Sequence, residues 1–374
     1  MLARRQRSIT SAAFERRFNG PLSAPPARQY SGSQQPSPRP VVRSRTRGGL
    51  CSSLRHSMHF RTFHNADPPR LAALWQSCEP DSGLCQPMTA LLMEDVVFSK
   101  PYFDHDGLIV AQDNGQIVGF VHAGFGLGDD RSKLDHRHGV VSMLMVHPSY
   151  RQQQVATELL ALAEQYLIGH GAQTIQAGEW GQQSPFYLGL YGPSACPGLL
   201  KSAGAAVDFF QSQGYRPQFE TRVLGLQLAG FRPPIDRKLL QVRRSVEVHH
   251  TYDPVPSDWW EACRLGVLER VLFELAPRSG NGVQCQALVW YHEPTYREVS
   301  GGTVGLHCVT TSADVRKRGF ATFLLSEAFK HLSGSGFEQV TAVCQADNAL
   351  GMGLLSKLGF VEIDQGLVLC KQVG

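Results

Sequence analysis

Arg316-Lys317-Arg318-Gly319-Phe320-Ala321 stands between two patterned segments. Before it, 304–310 (Val-Gly-Leu-His-Cys-Val-Thr) reads as a strand; after it, Phe320, Phe323, Leu324, Ala328 and Leu332 recur at helical spacing. A glycine at the mouth of a helix lets the backbone approach a ligand closely, and the unpaired N–H groups of the first turn form an anion site. Three neighbouring cations, Arg316, Lys317 and Arg318, add positive charge around that mouth. The chemistry prepared here is the binding of a phosphorylated ligand.

Arg-x-x-Gly-x-Ala after a strand, then Asn348, then Lys357-Leu358-Gly359-Phe360, resembles the acetyl-CoA motif of the GNAT family of N-acetyltransferases. The resemblance implies that loop amides hold the CoA pyrophosphate and that pantetheine lies beside a bulged strand ending at the loop. Carried onto this chain, it nominates Val309, Thr310, Thr311, Arg316, Lys317, Arg318, Gly319, Phe320, Ala321, Thr322 and Asn348 as cofactor-binding residues. It further implies acetyl-CoA as acyl donor and, as acceptor, a primary amine on a small molecule or peptide. Mycothiol synthases, tandem members that acylate the amine of a thiol-sugar conjugate, share a two-domain layout with a degenerate first domain.

The pattern occurs twice. A strand at 140–146 leads to Arg151-Gln152-Gln153-Gln154-Val155-Ala156, an amphipathic helix follows, and Ser212-Gln213-Gly214-Tyr215 closes the copy. Arg151 to Gly214 spans 63 positions and Arg316 to Gly359 spans 43, so the first copy carries an insertion of 20. It falls at 184–198, rich in Gly, Pro and aromatics, and reads as an ordered loop. By the same carry-over, Met145, Val146, Arg151, Gln153, Gln154, Val155 and Ala156 form a possible degenerate cofactor site. Gln154 stands where the second copy has Gly319, and Gln adopts unusual backbone angles less readily than Gly. The favoured reading is that the first domain (58–230) has lost cofactor binding and shapes its partner, leaving 231–374 as the catalytic domain. The alternative is that Gln154 points outward and the first site still works.

Acetyl transfer from a thioester requires a base to free the amine, hydrogen-bond donors for the developing oxyanion, and a proton for the departing thiolate. The family's usual acid is a Tyr two residues ahead of the closing Lys; this chain has Leu355 there, and Phe210 in the first copy. The substitutes nominated are His307 as a base and Ser356 as an acid, with Cys308, Tyr187 and Tyr191 behind them. Trp259 and Trp260 read as core residues rather than an acceptor clamp. The missing acid also leaves room for a module that binds acyl-CoA without turning it over, or a scaffold with both sites dead.

Residues 1–57 hold eleven Arg, no Lys and one acid, net +10, and read as disordered. A start placed too early, with Met58 opening the protein, fits this leader best; a transit peptide and a nucleic-acid-binding arm are the alternatives. The remainder carries 25 basic against 31 acidic residues, net −6, which argues against a nucleic-acid surface. No apolar run is long enough to span a bilayer. The nine cysteines lack Cys-x-x-Cys or zinc spacing, as expected of small buried hydrophobes in a reducing compartment. A cytoplasmic monomer or homodimer without metal, nucleic acid or membrane partner is expected.

His136-Arg137-His138 reads as a solvated loop. The fold expected is α/β with two tandem GNAT units, each a mixed, mostly antiparallel sheet flanked by helices. Asp67 is expected to cap a helix over 67–77, Asp113-Asn114-Gly115 to turn a hairpin, and 221–228 to end the first unit, with further helices over 155–169 and 349–357 and a strand over 174–177.

Overall fold

The computed structural model describes residues 58–78, 88–151, 154–189, 194–279, 282–291 and 302–374. The basic leader, Gln153 and Tyr191 lie outside them.

The first half opens with β1 (His59–Thr62) and α1 (Pro68–Ser77), followed by α2 (Ala90–Met93), which runs into a π-helical turn, Glu94–Phe98. Strands β2 (Leu108–Asp113) and β3 (Gln116–Leu127) form a hairpin whose turn places Asn114 and Gly115 at positive φ (49° and 81°), as this tight turn requires. β4 (Leu134–Val146), α3 (Val155–Gly169), β5 (Thr174–Ala177), β6 (Leu199–Leu200), α4 (Gly204–Ser212) and β7 (Arg216–Gln227) complete it. The second half contains α5 (Arg237–Ser245), β8 (Val246–Tyr252), α6 (Trp259–Leu265), β9 (Glu269–Pro277), β10 (Cys285–Tyr291) and β11 (Thr303–Thr311). It ends with α7 (Phe320–Gly334), β12 (Gln339–Gln345), α8 (Ala349–Lys357) and β13 (Val361–Gln372).

Several expectations change. His136, Arg137 and His138 belong to β4 rather than a loop: Asp135 takes Arg137 in a two-pronged ion pair and His138 Nδ1 at 2.8 Å, while His136 stacks on Phe125. Asp67 precedes α1 but its carboxylate makes no cap; it accepts Arg61 through both oxygens at 2.7 Å and His64 N–H at 2.8 Å. These three donors satisfy a buried carboxylate and hold its pKa below the usual range despite desolvation.

The units also do not carry separate sheets. Among the described residues, all strands form one thirteen-stranded sheet in the order β1-β2-β3-β4-β5-β13-β7-β12-β11-β10-β9-β8, with β6 beside β13. The last strand, β13, pairs only with first-half strands β5, β6 and β7. The first half's closing strand, β7, pairs only with second-half strands β12 and β13. Each half therefore finishes its sheet with a strand from the other.

Within each half, one parallel pair marks where the sheet opens. β4 runs parallel to β5 from His138↔Thr174 to Val141↔Ala177, and β11 runs parallel to β12 from Thr303↔Gln339 to Leu306↔Ala342. The next residue is a bulge in both: Ser142 stands unpaired against β3 and His307 against β10. A bulge bends its strand and raises the local twist, so the parallel neighbours part beyond it.

Candidate active site

In the second half, β11 beyond the bulge keeps β10 on one side, while the rest of β12 pairs with β7. The gap so formed leads from His307 along Cys308, Val309, Thr310 and Thr311 to the loop before α7. Cys308 and Thr310 are exposed, and His307, Val309 and Thr311 half-buried. Arg316 Nε donates to the Thr311 carbonyl at 3.1 Å, tying the loop to the strand end. Lys317 adopts a left-handed conformation (φ 60°), and Arg318 lies over the Phe320 ring.

Gly319 precedes α7 with φ 92°, ψ 3°, and no side chain caps the helix. The first-turn N–H groups at Phe320, Ala321 and Thr322 are thus free of a competing cap, the condition for gripping an anion. Asn348 lies past the end of β12, on the opposite lip of the gap, where it caps α8 by accepting Gly351 N–H at 2.9 Å. The sequence-nominated residues thus gather around one opening, with Asn348 already committed to a helix cap.

The first half repeats this backbone. Arg151 Nε approaches the Val146 carbonyl at 3.4 Å, and Gln154 takes the left-handed conformation of Gly319 (φ 59°, ψ 4°) ahead of α3. Val155 is buried and Ala156 half-buried at the start of that helix. The surroundings differ. Met143, Met145 and Val146 are buried, the two methionines in a core shared with Leu71, Trp75 and Met93.

The insertion folds over the mouth of the first half. Phe186 stacks on His122 at 4.0 Å, and Tyr187 Oη lies 3.1 Å from His122 Nδ1. Glu179, at the end of β5, organises these residues by accepting Ser184 Oγ, Phe186 N–H and Tyr187 N–H at 2.9–3.0 Å. Burial raises the Glu179 pKa in spite of those donors.

In register, His122 faces Met143 as Leu288 faces Cys308. Where aromatic rings cover His122, Leu288 instead lines a cavity of about 390 Å³. Around it are His307 and Cys308 from β11, Gln286 from β10, and Trp260, Glu261 and Arg264 from α6. Arg131, Gly181 and Gln182 of the first half close the opposite wall.

The first half also holds α6 at both ends. Arg131 pairs with Asp258, the residue that caps α6 by accepting Glu261 N–H at 2.8 Å, and the Arg131 carbonyl accepts Trp259 Nε1 at 2.7 Å. At the other end, buried Lys100 donates to the Cys263 carbonyl at 2.6 Å, with its pKa lowered to about 8 by desolvation and by Arg264. Tyr102 stacks on Trp260 at 5.0 Å. From the insertion, Leu188 and Cys196 pack with Leu265, Leu268, Leu288 and Trp290.

His307, nominated as a base, therefore lies in the cavity, with its Nδ1 buried and unpartnered. Burial, then Arg264, lowers its pKa to about 4, so the ring is neutral at pH 7 with a lone pair available. Cys308 lines the same cavity, but desolvation pushes its thiol up, away from the thiolate a nucleophile needs. Ser356 is exposed on α8 and does not line the cavity. Leu355 and Phe210 are buried. Tyr187 is buried in the first half, and Trp260 belongs both to the core and to the cavity wall.

Sequence reasoning missed Glu261, Arg264 and Arg131. A Glu and an Arg three positions apart on a short helix look like a solvated face, and only the placement of first-half segments makes them a wall. No group of three or more His, Cys, Asp or Glu among the described residues is arranged to hold a metal ion. No described helix is long and apolar enough to cross a membrane.

Two desolvated imidazoles, His122 and His307, set an acid-stability signature. Burial depresses His122 to about 3 and His307 to about 4, whereas an unfolded chain takes up these protons near 6.5. With the folded pKa below the unfolded one, stability is full above pH 6.5 and is lost as pH falls toward the folded values. Urea unfolding at about pH 7, 6 and 5 should lose up to about 1.4 kcal/mol per pH unit for each ring. His122→Phe should flatten the slope by one proton; an unchanged slope would show that His122 is protonated in the fold.

The same chain matches two family models: the Acetyltransferase (GNAT) family over residues 69–186, and the FR47-like protein family over 298–369. Over 118 residues, 32% of this chain and 73% of the relative, it is 30% identical to Acetyltransferase ECA0875 of Pectobacterium atrosepticum. The chain belongs to the GNAT acetyltransferase family. A second relative, Acetyltransferase SG1711 of Sodalis glossinidius, is 29% identical over 118 residues, 32% of this chain and 72% of its own length.

Among solved structures, a GCN5-related glucosamine N-acetyltransferase region of a fungal multi-domain β-N-acetylglucosaminidase superposes with TM-score 0.62 at 18% identity. That match covers 85% of this chain and 38% of the fungal one. A tandem GNAT protein from the clavulanic acid biosynthesis pathway gives TM-score 0.60 at 15% identity, covering 85% of this chain and 99% of that one. At these identities the likeness is one of fold.

Proposed function

We propose that the second half transfers an acetyl group from acetyl-CoA to a primary amine of a small molecule, and that the first half serves as the wall of the acceptor site. The observation that carries this reading is the cavity at the His307 bulge, on the same strand, β11, that leads to the uncapped turn at Gly319. The pyrophosphate would rest on the N–H groups of Phe320, Ala321 and Thr322, with Arg316, Lys317 and Arg318 nearby. The thioester would lie where β11 and β12 part, and backbone N–H groups at the strand end would receive the oxyanion.

In the transfer, the amine nitrogen bonds to the thioester carbon and the C–S bond breaks. The amine loses a proton, and CoA leaves as a thiolate that takes one up. Glu261 and neutral His307 are the groups in the cavity able to accept the amine proton. Burial has lowered the affinity of His307 for protons. The aromatic plug over His122 supports a first half without an acceptor site.

The test is acetyl-CoA calorimetry beside a CoA-release assay over a panel of small amines and peptides. Micromolar binding with turnover is expected; an intact protein that ignores acetyl-CoA would end this reading. Leu355, buried where a Tyr acid would stand, supports a second reading, an acyl-CoA sensor. Tight binding with no release for any amine would favour it.

A further inference from the structure

Arg264 is the unspent charge of the acceptor cavity. Among the described residues no carboxylate lies within ion-pair distance of its guanidinium, and its Nε is buried without a partner. Its one close contact of note is the Trp260 ring, 5.7 Å from the guanidinium carbon. The nearby acids are engaged elsewhere. Glu179 is occupied by Ser184, Phe186 and Tyr187, and Asp258 by Arg131 and the α6 cap. The Glu179 carboxylate acts on Arg264 only at a distance, and a buried guanidinium donor without a hydrogen-bond partner is unfavourable unless a ligand supplies the acceptor.

The other polar groups of the cavity have the opposite character. Glu261 receives both Ser257 N–H and Ser257 Oγ on one oxygen, Oε2, which leaves Oε1 for a ligand donor. His307 is neutral and presents an unsatisfied ring nitrogen. Glu261 and Arg264 are three residues apart on α6, so their Cβ atoms are neighbours at about 5–6 Å, and one small zwitterion can touch both. A cavity of about 390 Å³ lies toward the small end of ligand sites, which run from about 300 to 1,000 Å³.

We propose that the acceptor is a small amine bearing its own carboxylate, an amino acid or a close analogue, with the carboxylate on Arg264 and the amine between Glu261 and His307. This rests on the reading of the cavity as the acceptor site. Guanidinium and carboxylate match in geometry, and their charge-assisted hydrogen bonds strengthen where water is excluded. The arrangement selects against a peptide N-terminus, whose carboxylate is replaced by an amide.

The experiment mixes the full chain and acetyl-CoA with each of the twenty standard L-amino acids, their carboxamides, the corresponding decarboxylated amines, and ethanolamine phosphate, and reads CoA release. At least one amino acid should exceed its own amide by roughly 100-fold in kcat/KM. Arg264→Gln should bring that ratio close to one while leaving acetyl-CoA affinity unchanged by calorimetry; Arg264→Lys should keep part of it. Amides or plain amines that serve as well as acids would overturn the proposal. So would a preference that survives Arg264→Gln, or a phosphorylated amine that outruns every carboxylate.

If no amine is turned over, calorimetry of the same amino acids on CoA-saturated wild type and Arg264→Gln decides. Binding that needs Arg264 keeps the carboxylate site and ends the transferase reading. No binding of any amino acid to a protein that holds acetyl-CoA ends the carboxylate site alone.

Discussion

Gly319→Gln is expected to weaken acetyl-CoA binding by roughly 10-fold or more while shifting the melting temperature only a few degrees. Gly319 stands at φ 92°, beyond the narrow left-handed well of residues with a Cβ, near +50° to +70°. An added Cβ would also meet Leu239 Cδ2 at 3.4 Å and Lys238 Cβ at 3.6 Å on α5, ordinary contacts that still leave the backbone strained. To relax, φ must fall by some tens of degrees, and the first-turn N–H groups of α7 turn with it. The loss therefore comes from a misaimed cradle more than from a side chain filling it. Gln154 shows the relaxed answer: it holds φ 59° in the first half. Gln154→Gly should accordingly stabilise the fold by about 1 kcal/mol, since a left-handed residue with a Cβ costs about 1–2 kcal/mol. Calorimetry with acetyl-CoA reads the first variant and urea unfolding the second. Unchanged affinity after Gly319→Gln, together with loss after a first-half substitution, would move the working site to the first half.

The elements that local chemistry dictates were readable. The bounds of α3, β5 and α8 match the expected 155–169, 174–177 and 349–357, because Gly or Asn punctuation stops each segment where its apolar periodicity ends. Helix α5 escaped notice, since Leu239 and Val242 are its only buried residues and its four cations mask the stripe. The polar His-Arg-His start of β4 read as loop because its pairing, not its composition, makes it a strand. The loop ahead of α7 was legible for the same reason as α3: glycine, cations and a helix start lie within a few positions of one another. The proposed acceptor wall was not. Arg264 and Glu261 acquire meaning only when Arg131, Lys100 and the insertion pin α6 against β11, and contacts at such separation leave no local trace. Nor could a single chain reveal the strand exchange, because β7 and β13 would alternate equally well beside either half.

That exchange sets the last expected result. A chain stopped after Phe360 removes β13 alone, yet should fail to fold as a whole, the first half included. β13 lies between β5 and β7, with Val368 and Leu369 fully buried, so its loss divides the thirteen-stranded sheet at its middle. β5 would lose its only antiparallel partner, and β7 the strand it pairs along most of its length. Two edges rich in unpaired N–H and C=O groups would then face each other across an emptied slot, a template for aggregation. The first half cannot fill the slot itself, since its long strands are already engaged: β3 between β2 and β4, β4 between β3 and β5, and β7 on β12. If the halves were independent, the truncated chain would keep a cooperative unfolding transition and slow amide exchange in β2, β3 and β4. Hydrogen exchange on whatever remains soluble distinguishes the two outcomes: protection confined to short segments is expected, and native-like protection of the β2–β3–β4 ladder would show that the exchanged strand is dispensable to the half it completes.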